Sequence, residues 1–300
     1  MNILITGGTG FVGTYLSKHL ENRGDHLMIL TRNPDKYSDT DTRSYHQIDE
    51  DLTPLIDKTD VIINLAGENL FDQRWTEAAK KRIRSSRINT TNKLVRAVSE
   101  AEQPTDVMIS ASGINYYKSA GNKELDEKSP AGDDFLAQVC LDWEDAASKV
   151  EQYGVRLVIP RLGVVLEKDD GALAKMVMAF KLFAGGPLGD GRQYFSWIHM
   201  HDLCRSIAYA IDTKEMKGPY NAVAPNPVTM NTFAKELGNV LQRPSFFRAP
   251  EFMLKLGLGE SAEAITESLN VKPNALVKAG FTFEYPFVDQ ALKDILGNSE

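Results

Sequence analysis

Short, nearly continuous apolar runs alternate with longer segments whose apolar residues recur at helical spacing. The runs are Ile3–Thr6, Leu27–Leu30, Val61–Leu65, Val107–Ser110 and Arg156–Ile159. A strand with one face in water would alternate, so consecutive apolar residues predict strands covered on both faces. Between them, Phe11–Asn22, Thr76–Ala101 and Asp134–Tyr153 predict helices, with Ile83, Leu94, Val95 and Val98 forming the buried stripe of the middle one. Strand–helix alternation of this kind implies a doubly wound parallel α/β sheet with right-handed crossovers.

The alternation ends near residue 166. Leu182–Gly191 is glycine-rich and loop-like, and the prolines of Pro219–Pro227 break the pattern. The tail, Ala249–Leu296, consists of short mixed segments punctuated by Pro250, Pro273 and Pro286. The expected organisation is a main α/β domain over residues 1–225 and a smaller C-terminal lobe over residues 248–296, packed on the sheet's edge.

A chain of 300 residues, 42% of them hydrophobic, can bury a large core. Its formal net charge of −7 repels phosphate backbones, which argues against nucleic acid as a partner. No apolar run approaches the roughly 20 residues that span a bilayer, so no membrane partner is expected. The cysteines are Cys140 and Cys204, and Met1–Thr6 already reads as a strand with no basic or cleavable segment ahead of it. The expectation is a reduced, cytoplasmic protein.

The first strand leads directly into Gly7-Gly8-Thr9-Gly10-Phe11-Val12-Gly13, which fits G-x-x-G-x-x-G. Gly7 permits a tight turn, Gly10 lets backbone N–H groups approach a pyrophosphate, and Gly13 lets the helix pack closely. The helix N-terminus then faces the phosphates with its partial positive charge. A strand, this turn and an amphipathic helix together predict a Rossmann-type dinucleotide site, with Gly7, Thr9, Gly10, Phe11, Val12 and Gly13 as contacts. An NAD site places an acidic residue at the end of the second strand to bond the ribose 2′-OH. This chain offers Thr31 and Arg32 there. A guanidinium pairs with a 2′-phosphate through parallel hydrogen bonds, so the expected cofactor is NADP.

Four stretches resemble the extended short-chain dehydrogenase/reductase superfamily: Gly7–Gly13, Asn64-Leu65-Ala66-Gly67, Pro160–Leu166 and Ser196–Leu203. Further segments resemble an atypical epimerase-like subfamily labelled NAD-dependent epimerase/dehydratase. They are Ala66–Asn69, Arg74-Trp75, Arg82–Arg87, Trp143-Glu144, Gly185–Gly189, Val271–Pro273 and Gly280–Pro286. The resemblance implies that Leu65, Ala66 and Gly67 lie along the cofactor and that Val165 approaches its nicotinamide end. It also implies that Arg82 and Arg87 neutralise phosphate charge; by charge pattern alone, Lys80–Arg87 reads as a solvated helix face, and only the resemblance brings the phosphate role level with it.

Typical members of the superfamily use a serine with a Tyr-x-x-x-Lys pair for proton transfer. Ser112 matches the serine, four residues before Tyr116. The pair is absent: alignment on Glu144 puts Leu136 at the tyrosine position and Cys140 at the lysine position. Leu136 has no proton to give, and Cys140 carries no positive charge. Tyr116, Tyr117, His199, His201 and Cys140 are the remaining candidates, while Glu144 and Asp142 are expected to face solvent or cap local structure. His199-Met200-His201 lacks further ligands at a metal-site spacing, so no metal is expected. Two functions stay open. One is an NADP(H)-dependent oxidoreductase or epimerase, monomer or homodimer, acting on a small polar substrate bounded by Phe183–Gly191 and Trp197. The other is a non-catalytic NADP(H)-binding sensor or scaffold.

Overall fold

The computed structural model describes residues 1–71, 73–103 and 105–297. Among them the main sheet has eight strands, all pairs parallel: β1 Asn2–Thr6, β2 His26–Thr31, β3 Arg43–Gln47, β4 Val61–Asn64, β5 Val107–Ser110, β6 Ser112–Gly113, β7 Arg156–Leu162 and β8 Gly218–Ala222. The order across it is β8-β7-β5-β4-β1-β2-β3, with β6 resuming beside β7 where β5 stops. The chain therefore reverses direction across the sheet after β3, and the crevice between β1 and β4 is the usual ligand site of such folds.

Alternate residues of each strand feed opposite cores. Ile3, Ile5, Ile29, Ile63 and Ile109 pack against α1 (Phe11–Asn22) and α5 (Met200–Asp212). Leu4, Leu30, Ile62 and Met108 pack against α2 (Glu77–Glu100) on the other face. Thr76 caps α2 by accepting from Ala79 N at 3.2 Å, and Asp134 caps α3 (Phe135–Ser148) by accepting from Ala137 N at 3.0 Å. A third core joins α4 (Gly171–Lys181), α6 (Met230–Leu241) and α10 (Val288–Gly297) around Phe180, Trp197 and Phe233. Three short helices complete the tail: α7 Glu251–Leu258, α8 Ser261–Thr266 and α9 Asn274–Lys278.

Several expectations need correction. The proline-bearing stretch begins inside a strand: β8 includes Pro219 and pairs on one side only, with β7, where a missing N–H costs little. β3 is the opposite edge and has no apolar run, because its residues are all half-buried. The tail is not confined to an edge. Leu276 and Phe281 enter the main core, and Val288, Leu292 and Ile295 enter the third. Among the described residues no helix is long and apolar enough to cross a membrane.

One local break positions the site. β5 pairs with β7 as far as Ile109↔Val158, and β6 resumes at Ser112↔Arg161. Between these pairs stands Pro160, which has no N–H to donate, while on the other side Ala111 N continues the ladder to β4 by bonding Asn64 O at 2.9 Å. Ser112 and Arg161 emerge side by side at the carboxyl edge of the sheet.

Candidate functional site

β1 ends at Thr6, and the chain turns at Gly7 with φ +73°, a left-handed conformation that suits glycine. A Cβ there would also come within 2.8 Å of the Leu65 carbonyl carbon, so this turn and the loop after β4 touch through backbone. A Cβ at Gly13 would collide with the Gly7 carbonyl oxygen. Gly10 N bonds Gly7 O at 3.0 Å and Thr14 N bonds Gly10 O at 2.9 Å, closing the turn. Gly10 is the N-cap of α1 and supplies no side-chain cap, and the first turn carries no acidic residue. The opening amides of α1, at Phe11, Val12 and Gly13, therefore present an uncapped helix end suited to an anion. Thr9 and Gly10 are exposed at its mouth.

Buried polar groups fix the neighbouring loop. Thr6 Oγ1 donates to Asn64 Oδ1 at 2.7 Å and accepts from Ala66 N at 3.3 Å. Asn64 Nδ2 donates to Thr91 Oγ1 at 2.8 Å and to Ser110 Oγ at 3.1 Å, and Trp143 Nε1 donates to the same Thr91 oxygen at 3.0 Å. This network ties Leu65, Ala66 and Gly67 to α2 and α3. Arg87 lies under Gly67, over the Trp143 ring at 5.2 Å, with Nη1 donating to Ile83 O at 2.8 Å. Burial pulls its pKa down, and no carboxylate pairs with it among the described residues. Arg82 is engaged elsewhere, donating to Glu68 at 3.2 Å and Gln73 at 2.6 Å. At the end of β2, Thr31 is half-buried and accepts from Asn33 N at 3.4 Å. Arg32 is exposed, and its guanidinium has no carboxylate partner among the described residues.

Ser112 is 4% exposed and donates to Glu144 Oε1 at 2.7 Å. Glu144 does not face solvent, as the sequence suggested, but forms a two-armed pair with Arg161, each contact 2.8 Å. The side chains are 13% and 3% exposed, so the charges are buried together. Burial works against the Arg161 charge, but Glu144 and Tyr117 outweigh it and raise the pKa. Arg161 Nη1 also donates to Tyr117 Oη at 2.9 Å, Tyr117 donates to Asn221 Oδ1 at 2.7 Å, and Tyr116 stacks on the guanidinium at 3.4 Å. Asp142 is half-buried and paired with Arg84 at 2.7 Å.

The alternative proton carriers are accounted for by structure. Burial pushes the Tyr117 hydroxyl up to about 12 and the Cys140 thiol up to about 11, so neither ionises near neutrality. His199 caps α5 through Nδ1, accepting from His201 N at 3.0 Å, and stacks on Tyr285 at 4.0 Å. His201 faces Glu284 at 3.2 Å. Among the described residues no group of three or more His, Cys, Asp or Glu could hold a metal ion.

A cavity of about 690 Å³ runs from this wall to the C-terminal segment. Phe11, Arg87, Ser112, Leu136, Cys140 and Val165 line one end. Met176, Phe180, Leu188, Phe247, Leu254 and Ile265 make the far end largely apolar. Ala184, Gly186 and Leu188 bring the glycine-rich loop to it as expected, but Trp197 does not line it; it is fully buried in the third core. The cavity also holds Asn115 and Glu267, which the sequence reading did not single out. Burial and the Asp134 carboxylate push Glu267 up to about 7, against the opposing hydrogen bond from Asn115. An isolated Glu in a tail carries no sequence signal; the fold alone brings it here.

Comparison with known proteins gives a consistent picture. The profile described as the NAD dependent epimerase/dehydratase family matches residues 3–222, and one described as a domain of unknown function matches residues 249–295. An epimerase family protein of Staphylococcus haemolyticus is 40% identical, the match covering 98% of each chain. The chloroplastic SDR39U1 homolog of Arabidopsis thaliana, named as an epimerase family protein, is 39% identical over 99% of this chain and 87% of its own. The crystal structure of human epimerase family protein SDR39U1 with NADPH superposes with a TM-score of 0.88 at 32% identity, covering 99% of this chain and all of that one.

Proposed function

The chain belongs to the NAD dependent epimerase/dehydratase family, and from that premise we propose that it holds NADP(H) and uses it on a small molecule in the adjoining cavity. The observation that carries this is an uncapped α1 N-terminus together with the exposed guanidinium of Arg32 at the end of β2, where an NAD site has a carboxylate. The NADPH in the human relative supports the same choice. Gly7, Thr9, Gly10, Phe11, Val12 and Gly13 would hold the pyrophosphate, and Thr31 and Arg32 the 2′-phosphate. Leu65, Ala66 and Gly67 would lie along the dinucleotide, with Val165 at its nicotinamide end. Arg87, which lines the cavity and has no carboxylate within ion-pair distance among the described residues, is better placed to meet phosphate charge than Arg82, which Glu68 already engages. When bound, the reduced dinucleotide supplies a hydride.

Ser112 holds the substrate oxygen. Because its proton goes to Glu144, it meets a substrate hydroxyl as an acceptor, and it can donate to a substrate carbonyl oxygen only by turning from Glu144. The apolar far end favours a substrate with one polar reacting end and an apolar remainder. The Arg32→Ala variant tests the cofactor choice. Loss of a charge-assisted contact of about 1.5–3 kcal/mol should weaken NADPH binding about 10- to 150-fold and leave NADH binding nearly unchanged. Equal weakening of both would overturn the assignment.

Leu136 and Cys140 in the cavity wall favour a second reading, a sensor that binds NADP(H) without turnover. A turnover abolished by Ser112→Ala separates the two.

A further inference from the structure

Glu267 is a cavity carboxyl to which the cofactor site gives no task. It closes α8, its own N–H bonded to Glu263 O at 3.0 Å. The chain just beyond it is fastened to the loop that follows β6: Ser268 N donates to Ser119 Oγ at 3.1 Å, and Leu269 packs in one cluster with Ile114 and Tyr117. Ser112, Asn115 and Glu267 line one cavity, so the C-terminal segment delivers a carboxyl to the cavity that the serine enters. Its chain neighbours in the lining, Ile265 and Leu269, are apolar. At the tyrosine's usual position stands Leu136, and Tyr117 is committed to Arg161 and Asn221.

Resting on the cofactor reading above, we propose that Glu267 is the acid–base group for the substrate oxygen, doing by position what the absent tyrosine would do. In carbonyl reduction, the hydride supplied by the bound dinucleotide adds to the carbonyl carbon. The C=O π pair takes the Glu267 proton as a new O–H bond, and Glu267 is left as a carboxylate that regains a proton from water. In alcohol oxidation the carboxylate accepts the hydroxyl proton while the hydride leaves carbon for the oxidised dinucleotide. The surroundings suit both directions. The charged groups facing Glu267 are carboxylates, Asp134 at the start of α3 and Glu263 one turn back, and with burial they hold its pKa at about 7. An acid–base group works best when its pKa lies near the working pH.

The test follows the Glu267 carboxyl by carbon NMR in full-length protein labelled at glutamate, with Glu267→Gln and Glu267→Asp each locating the resonance. Calorimetry on the same samples records NADPH and NADP⁺ binding. The oxidised nicotinamide ring carries a positive charge that the reduced ring lacks. A carboxyl beside the reacting ring therefore titrates near neutrality with NADPH and at lower pH with NADP⁺. Binding of both forms with an unchanged midpoint, or an ordinary acidic midpoint throughout, overturns the role of Glu267 and leaves the cofactor reading standing. Failure to bind either nucleotide overturns the cofactor reading, and this inference falls with it.

Discussion

Ser112 is oriented by a carboxylate that would be costly to bury alone. Glu144 is only 13% exposed, and Arg161 meets both of its oxygens. Removing one partner leaves an uncompensated buried charge, which typically costs about 3–5 kcal/mol. Arg161→Met should therefore destabilise the protein by about that amount in chemical denaturation, while the double change Arg161→Met with Glu144→Leu should recover most of the loss. A single substitution costing under about 1 kcal/mol would contradict this. Glu267 gives a different pH signature. Its folded pKa of about 7 lies above its ordinary value of 4.5, so folding takes up a proton between those limits. Stability is fully present below about 4.5 and falls as pH rises through about 7. Discounted for solvent screening at a partly exposed site, the fall is about 1–2 kcal/mol. Glu267→Gln should remove it, so melting scans of variant and parent should agree at pH 4.5 and separate in the variant's favour at pH 8. Parallel curves at every pH would contradict the raised pKa.

At the scale of elements, the turn between β1 and α1 tolerates little. Gly13→Ala drives a methyl into the Gly7 carbonyl oxygen. Overpacking of this kind costs about 1–3 kcal/mol and displaces the amides that would face a pyrophosphate. NADPH affinity should fall at least about tenfold, since one factor of ten is about 1.4 kcal/mol; unchanged affinity in a folded variant would remove the turn from the site. This turn was legible in the sequence because its constraint is local, a strand end, glycines and a helix start within thirteen residues. The central strands were legible for the same reason, as apolar runs covered on both faces. The edge strands β3 and β8 were not, since a strand paired on one side needs no such run, and β8 even admits Pro219. Glu144 was misjudged because its partner stands on a different element, brought alongside by the break at Pro160. Glu267 went unnoticed because tertiary structure alone brings it into one cavity with Ser112 and Asn115.

Across the whole molecule, the sheet supplies the candidate dinucleotide site and the later chain supplies the far end of the cavity. The two share structure: Leu276 and Phe281 enter the core beneath the sheet, and Ser196 Oγ bonds Leu269 O at 2.6 Å. The far end is thus fixed relative to Ser112, as a site that must align a substrate requires. Everything proposed about chemistry depends on what occupies the crevice between β1 and β4. Titration calorimetry on protein stripped of nucleotide tests this directly. The account predicts saturable binding of NADPH at least about tenfold tighter than NADH, in keeping with a 2′-phosphate contact of at least about 1.4 kcal/mol. Binding of neither nucleotide, or tighter binding of NADH, would contradict it.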